Sequence, residues 1–163
     1  MKYCLIIGYP LKKPRSVKLW REFFKRNKMP IRMHARDIKK KFFKKEIKKL
    51  IKDPDFLASA ITMPYKKEIL PFLTIKDKIT IYAKSVNFII RCNEKIYGYN
   101  TDVYGALETL KKTKKDKIII YGFGGAGEAI FRCMYKLYKK SFFRVVTQKK
   151  DIKGFKKKRV KFQ

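Results

Sequence analysis

The chain has 163 residues, 45% of them hydrophobic and 15% aromatic, which is enough material for a buried core. Its 44 Lys and Arg against 13 Asp and Glu leave a net charge of +31, a balance that ordinarily points to nucleic acid or an acidic surface. The lysines run through every segment instead of gathering in one stripe, so solvated faces account for most of them, and no nucleic-acid partner is expected beyond nonspecific charge attraction.

In chain order, strand and helix patterns alternate, which predicts an α/β architecture. Tyr3 to Ile7 reads as a strand ended by Gly8 and Pro10. Ser16 is placed to cap a helix running to about Lys28, with Val17, Trp20, Phe23 and Phe24 on one face. Lys39 to Ile51 repeats the helical pattern and puts Phe42, Phe43, Ile47, Leu50 and Ile51 inward. Leu57 to Thr62 is strand-like, and Pro64 opens a short helix carrying Ile69 and Leu70. Two short strands, Asn87 to Cys92 and Lys95 to Tyr99, flank Asn93-Glu94 as a hairpin. Thr101 to Lys112 is helical and leads into a polar, lysine-rich break that ends at Lys117. Beyond it come a strand from Lys117 to Tyr121, a helix-like segment from Glu128 to Lys140 and a strand from Phe142 to Thr147.

Between the first of these last strands and its helix lies Gly122-Phe-Gly-Gly-Ala-Gly127, a G-x-G-x-x-G loop. In that context Gly122, Gly124, Gly125, Ala126 and Gly127 are candidates for a pyrophosphate cradle. Glycines permit a tight turn and a close backbone approach, and the helix N-terminus offers unpaired N–H groups. A doubly wound nucleotide domain has about six strands, so the two expected here leave about four unaccounted for and predict an incomplete domain. The predicted division is 1–112 and 117–163. The cysteines, Cys4, Cys92 and Cys133, form no C-x-x-C pair, so neither a disulfide framework nor a metal site is expected, and reduced cytoplasmic thiols are the plain reading. No leader and no membrane-spanning run is expected. His34 has no ligand-spaced partner and reads as structural.

Five stretches in order carry a further signal: Gly8-Tyr-Pro10-Leu-Lys-Lys-Pro14-Arg-Ser16-Val17, Ala60-Ile-Thr-Met-Pro-Tyr-Lys66, Ser85-Val86-Asn87-Phe88, Gly98-Tyr-Asn-Thr-Asp102 and the glycine loop. Together they resemble the shikimate dehydrogenase family, over about Ile6 to Lys150. The resemblance implies an N-terminal α/β substrate-binding domain followed by an incomplete Rossmann-type nucleotide-binding domain. It implies NADP-dependent, reversible reduction of 3-dehydroshikimate to shikimate, in chorismate and aromatic amino-acid biosynthesis. Lys66 and Asp102 match the catalytic lysine and aspartate of that family. Ser16, Thr62, Asn87 and Asn100 match its substrate-binding positions, each with a capping or turn role as the alternative; Asp102 likewise reads alone as a helix cap. Pro14 and Ala60 stand where the family usually carries a serine and an asparagine. Gln148 and Lys149 match its cofactor-selecting segment and offer donors in place of the acid that would select NAD, which favours NADP.

Quinate as substrate, a non-catalytic or split remnant, and a homodimer or complementing chain as partner stay open at this stage. A basic polyanion-binding protein is the weaker reading, because the aromatics follow core periodicity and do not decorate a basic sheet face.

Overall fold

The computed structural model describes residues 1–111, 116–148, 155 and 158–163. Contacts divide the chain into two units: Met1–Asp77 with Val86–Tyr99, and Lys78–Ser85 with Asn100–Gln163.

The first unit is a six-stranded mixed sheet in the order β2-β1-β3-β5-β6-β4. Strands β1 (Tyr3–Gly8), β2 (Arg32–Asp37) and β3 (Phe56–Ile61) run parallel, and the hairpin β5 (Phe88–Cys92)–β6 (Lys95–Tyr99) is antiparallel to β3. A two-residue strand, β4 (Ile75–Lys76), closes the edge beside β6. Asn93 turns the hairpin at φ 54°, the left-handed conformation that Asn tolerates better than most residues.

Alternation along the strands sends Leu5, Ile7, Ile61 and Ile89 to one face, where Phe43, Ile47 and Leu50 of α2 (Lys40–Lys52) complete the core. Phe42, expected inward, is exposed because its neighbour Phe43 takes the core-facing position. The other face carries α1 (Arg15–Arg26). Of its expected apolar stripe only Phe24 is buried, while Trp20 and Phe23 are half-exposed. Pro14 occupies the cap position of α1 with no side-chain hydrogen bond, so Ser16 lies inside the first turn and is not the cap.

The second unit is a three-stranded parallel sheet, β7 (Lys117–Tyr121), β8 (Phe142–Val146) and β9 (Val160–Phe162). The third strand corrects the expectation of two; at three residues with one lysine it shows no usable alternation. Helix α5 (Gly125–Leu137) covers one face with Phe131 and Met134 over Ile118, Ile120, Phe143 and Val145. Helices α3 (Lys78–Ala83) and α4 (Thr101–Thr109) pack on α5 through Ala83, Val103, Ala129 and Cys133. Among the described residues no helix is long and apolar enough to cross a membrane.

Candidate functional site

In the first unit the candidate residues collect at one end of the sheet. Parallel β1 and β3 end there, and antiparallel β5 begins there. Thr62 follows β3 directly, and its N–H donates to the Ile7 carbonyl at 2.9 Å. The Tyr9 N–H donates to the Met63 carbonyl at 3.0 Å. Gly8 is needed for this meeting, because a Cβ there would strike the Thr62 methyl and Leu11. The Gly8–Pro10 turn and the Thr62–Lys66 turn are thereby locked together.

Asn87 joins them through its backbone. Its carbonyl accepts from Ile61 N–H at 2.8 Å and its N–H donates to Tyr99 at 3.1 Å. Lys66 is tied in next to it, its carbonyl accepting from Val86 N–H at 2.7 Å. Thr62, Lys66 and Asn87 are all half-buried, so each has both a fixed backbone and access to solvent. Ser16, also half-buried, sits one residue into α1 with the exposed cations Lys12, Lys13 and Arg15 before it.

A residue that motif reasoning passed over holds this turn in place. Tyr65, between Pro64 and Lys66, has no solvent exposure. Its ring stacks on Phe43 with centroids 4.0 Å apart and planes 9° from parallel, and its hydroxyl donates to the Ile38 carbonyl. Burial, with Glu68, Asp37 and Tyr9 nearby, raises its pKa above the ordinary tyrosine value, so it stays a neutral donor. The sequence signal was an aromatic residue inside a turn otherwise made of polar and proline residues.

In the second unit, Asn100 is fully buried and caps α4. Its Oδ1 accepts from Val103 N–H at 3.2 Å, and its Nδ2 donates to the Ser85 carbonyl and hydroxyl at 3.0 and 2.8 Å. Asn100, rather than Thr101 or Asp102, is therefore the cap, and Asp102 is the acidic residue of the first turn, half-buried. A carboxylate there also complements the helix dipole.

The glycine loop follows β7, and each glycine has a distinct setting. Gly122 has φ +85° and its N–H donates to the Val146 carbonyl at 2.8 Å, making the tight turn. Gly124 and Gly125 have open space where a Cβ would stand, so a pyrophosphate could reach the backbone. Gly127 has none: a Cβ would collide with the Gly122 carbonyl oxygen, so only glycine lets the helix pack this close to the strand. Helix α5 starts at Gly125, earlier than the expected Glu128, which puts Gly125, Ala126 and Gly127 at its N-terminus. Phe123 is buried among Phe131, Phe155 and Phe162 and pins the loop.

Glu128 in that first turn is also buried, its Oε1 accepting from Arg132 Nε at 3.0 Å, which pairs its charge. Gln148 is exposed two residues beyond β8, at the same end of the sheet as the loop. Lys149 lies outside the described residues. The loop therefore fits a dinucleotide phosphate in backbone shape, in open space and in the direction of the helix dipole.

Among the described residues no His, Cys, Asp and Glu cluster is positioned to hold a metal ion. Cys4, Cys92 and Cys133 form no disulfide.

Residues 6–89 match the shikimate dehydrogenase substrate binding domain. The chain is 29% identical over 138 residues to shikimate dehydrogenase (NADP(+)) of Thermotoga maritima, covering 84% of this chain and 51% of that protein. It superposes on the crystal structure of the shikimate dehydrogenase from Thermotoga maritima with a TM-score of 0.76 at 26% identity, over 99% of this chain and 61% of that one. A shikimate dehydrogenase crystallised in complex with NADP+ matches at 28% identity with a TM-score of 0.77, over 90% of this chain and 51% of the other. The chain spans about half the length of the curated relatives it matches.

Proposed function

The chain belongs to the shikimate dehydrogenase family, and from that premise we propose that it takes part in the NADP-linked interconversion of 3-dehydroshikimate and shikimate. Residues 1–112 serve as the substrate-binding domain and 117–163 as the start of the NADP-binding one, although Lys78–Ser85 and α4 within the first span group with the second unit by their contacts. The observation that carries this reading is the pair of preformed turns, Thr62–Lys66 anchored by Tyr65 and Gly122–Gly127 shaped by its glycines.

When bound, NADPH supplies the hydride to the carbonyl carbon. The Lys66 ammonium gives its proton to the carbonyl oxygen as the carbon is reduced, and takes it back from the alcohol in reverse. Lysine suits this work because its charge sits at the end of a flexible stem whose backbone is fixed here. Asp102 accepts a hydrogen bond from a ring hydroxyl of the substrate. Ser16, Thr62 and Asn87 donate to its carboxylate and remaining hydroxyls. Asn100 acts through position, by fixing the first turn of α4 that carries Asp102. Pro14 and Ala60 each withhold a side-chain donor, which costs about 1–3 kcal/mol of binding wherever the orphaned partner stays buried.

Gly124 to Gly127 receive the pyrophosphate, while Gln148 and Lys149 favour the 2′-phosphate of NADP over NAD. A cytoplasmic location and a homodimer or a complementing chain complete the reading.

A second reading, binding without turnover, is favoured by the outer face of the second sheet, where Ile119, Tyr121 and Phe142 are exposed although parallel sheets are normally covered on both faces. NADP reduction by the purified chain with shikimate, and with quinate in parallel, distinguishes the two. Lys66→Ala is expected to cut turnover by at least about a hundredfold with an unchanged circular dichroism spectrum. Near-normal turnover in that variant would remove Lys66 from the chemistry. Shikimate binding without NADP reduction in the parent chain would favour the second reading.

A further inference from the structure

The second unit holds a concavity that neither the glycine loop nor the substrate-binding candidates line. It is a cleft of about 600 Å³ between α3 and α5. Tyr82, Tyr135 and Phe155 give it ring walls over the buried Phe131. These rings are held before any ligand arrives. The Arg159 guanidinium lies 4.5 Å from the Tyr135 centroid and is fixed by donating to the Tyr138 and Ser141 carbonyls at 3.0 and 2.6 Å. Phe155 meets Phe123 edge-on at 4.9 Å, with the Arg132 guanidinium 4.4 Å from its own centroid.

Among the described residues the charges bordering the cleft are all positive: Lys84, Arg132 and Lys136. Arg132 is aimed by its Nε bond to the buried Glu128. A ring-walled cleft of this size with a few convergent polar groups has the build of a small-molecule site. Rings alone would suit any apolar ligand and cations alone any anion; the combination asks for both on one molecule.

We propose that this cleft binds an aromatic anion, a planar ring system bearing a carboxylate or a phosphate. The ring lies among Tyr82, Tyr135 and Phe155, and the anionic group meets Arg132, Lys84 and Lys136. Because the walls are already ordered, little conformational freedom is lost on binding. The competing explanation is diffuse attraction of any anion by a chain of charge +31.

Calorimetry on the whole chain separates them, with 1-naphthoate and 1-naphthyl phosphate as probes and cyclohexanecarboxylate, inorganic phosphate and 1-naphthol as controls. One-to-one binding of at least one naphthyl anion is expected, with every control at least about tenfold weaker; the tighter of the two naphthyl anions identifies the head group. Arg132→Gln and Tyr135→Leu should each weaken binding about tenfold, while Lys44→Gln on α2 of the other unit should leave it unchanged. Because Arg132→Gln strips the partner from buried Glu128, Tyr82→Leu and Lys136→Gln supply the same test with less risk to the fold. The proposal is overturned if cyclohexanecarboxylate or phosphate binds as tightly as the naphthyl anions. It is equally overturned if several equivalents bind, or if all four cleft variants bind like the parent.

Discussion

The two sheets of this molecule are built from the same isoleucine-, phenylalanine- and lysine-rich alphabet, yet they use it differently. In the first unit, Leu5, Ile7, Ile61 and Ile89 pack under α2, while Cys4, Ala58 and Phe88 on the opposite face share a cleft of about 160 Å³ with Trp20 and Phe24 of α1. Both faces have cover, and burial raises the pKa of the Cys4 thiol. In the second unit, Ile118 and Ile120 lie under α5, but Ile119 between them is 53% exposed, Tyr121 78% and Phe142 61%. A run of identical apolar residues thus contributes fully in one position and little in the next, and only the cover on each face decides which.

Substitutions can break or sharpen that contrast. The largest effect is expected at the covered sheet, where Ile89→Ala removes a side chain 1% exposed and should cost about 2–5 kcal/mol in denaturant unfolding. Next comes Gly127→Ala, which forces α5 away from the Gly122 carbonyl and should cost about 1–3 kcal/mol and weaken NADP binding. Gly124→Ala, facing open space, is its control and should leave stability nearly unchanged. Removal of the α4 cap by Asn100→Ala should cost about 0.5–2 kcal/mol, and Asn100→Asp should recover part of it by again accepting from Val103. At the uncovered face, Ile119→Ala should move stability by no more than about 0.5 kcal/mol. A loss comparable to that at Ile89 would mean that something covers Ile119 in solution.

Much of this arrangement was legible in the residues. Strands β6 and β7 begin and end where their patterns predict, and β1, β3, β5, β8 and the helices α1, α2 and α4 fall close to their expected spans. What escaped did so for physical reasons. Strand β2, Arg-Met-His-Ala-Arg-Asp, buries only Met33, so it has no alternation to display. Helix α3 is six residues long, below the length at which a periodic face stands out. The turn after Pro64 forms a short 3₁₀ segment at Leu70–Phe72 in place of an α-helix.

At the candidate site, motif spacing named Lys66, Thr62 and the glycines. It read Ser16 and Asp102 as caps where the structure has Pro14 and Asn100, because a cap depends on which N–H finds an acceptor in three dimensions. The aromatic residue in the lysine turn was visible, but its anchoring role was not, since that role needs Phe43 and Ile38, more than 20 residues away in the chain.

The grouping of Lys78–Ser85 with Asn100–Gln163 has a consequence for how the molecule is made. Three times, after Asp77, after Ser85 and after Tyr99, the polypeptide passes from one unit to the other, so neither is a contiguous piece of chain. During synthesis the first sheet cannot be completed until the hairpin Phe88–Tyr99 has emerged, and α3 must wait, already synthesised, for α4 and α5 to give Ala83 its buried neighbours. A single proteolytic nick cannot release either unit whole. Expressing residues 100–163 alone would also strip α3 from Val103, Ala129 and Cys133. The two units are therefore interleaved in their folding order, and a change that delays one should be felt in the yield of the other.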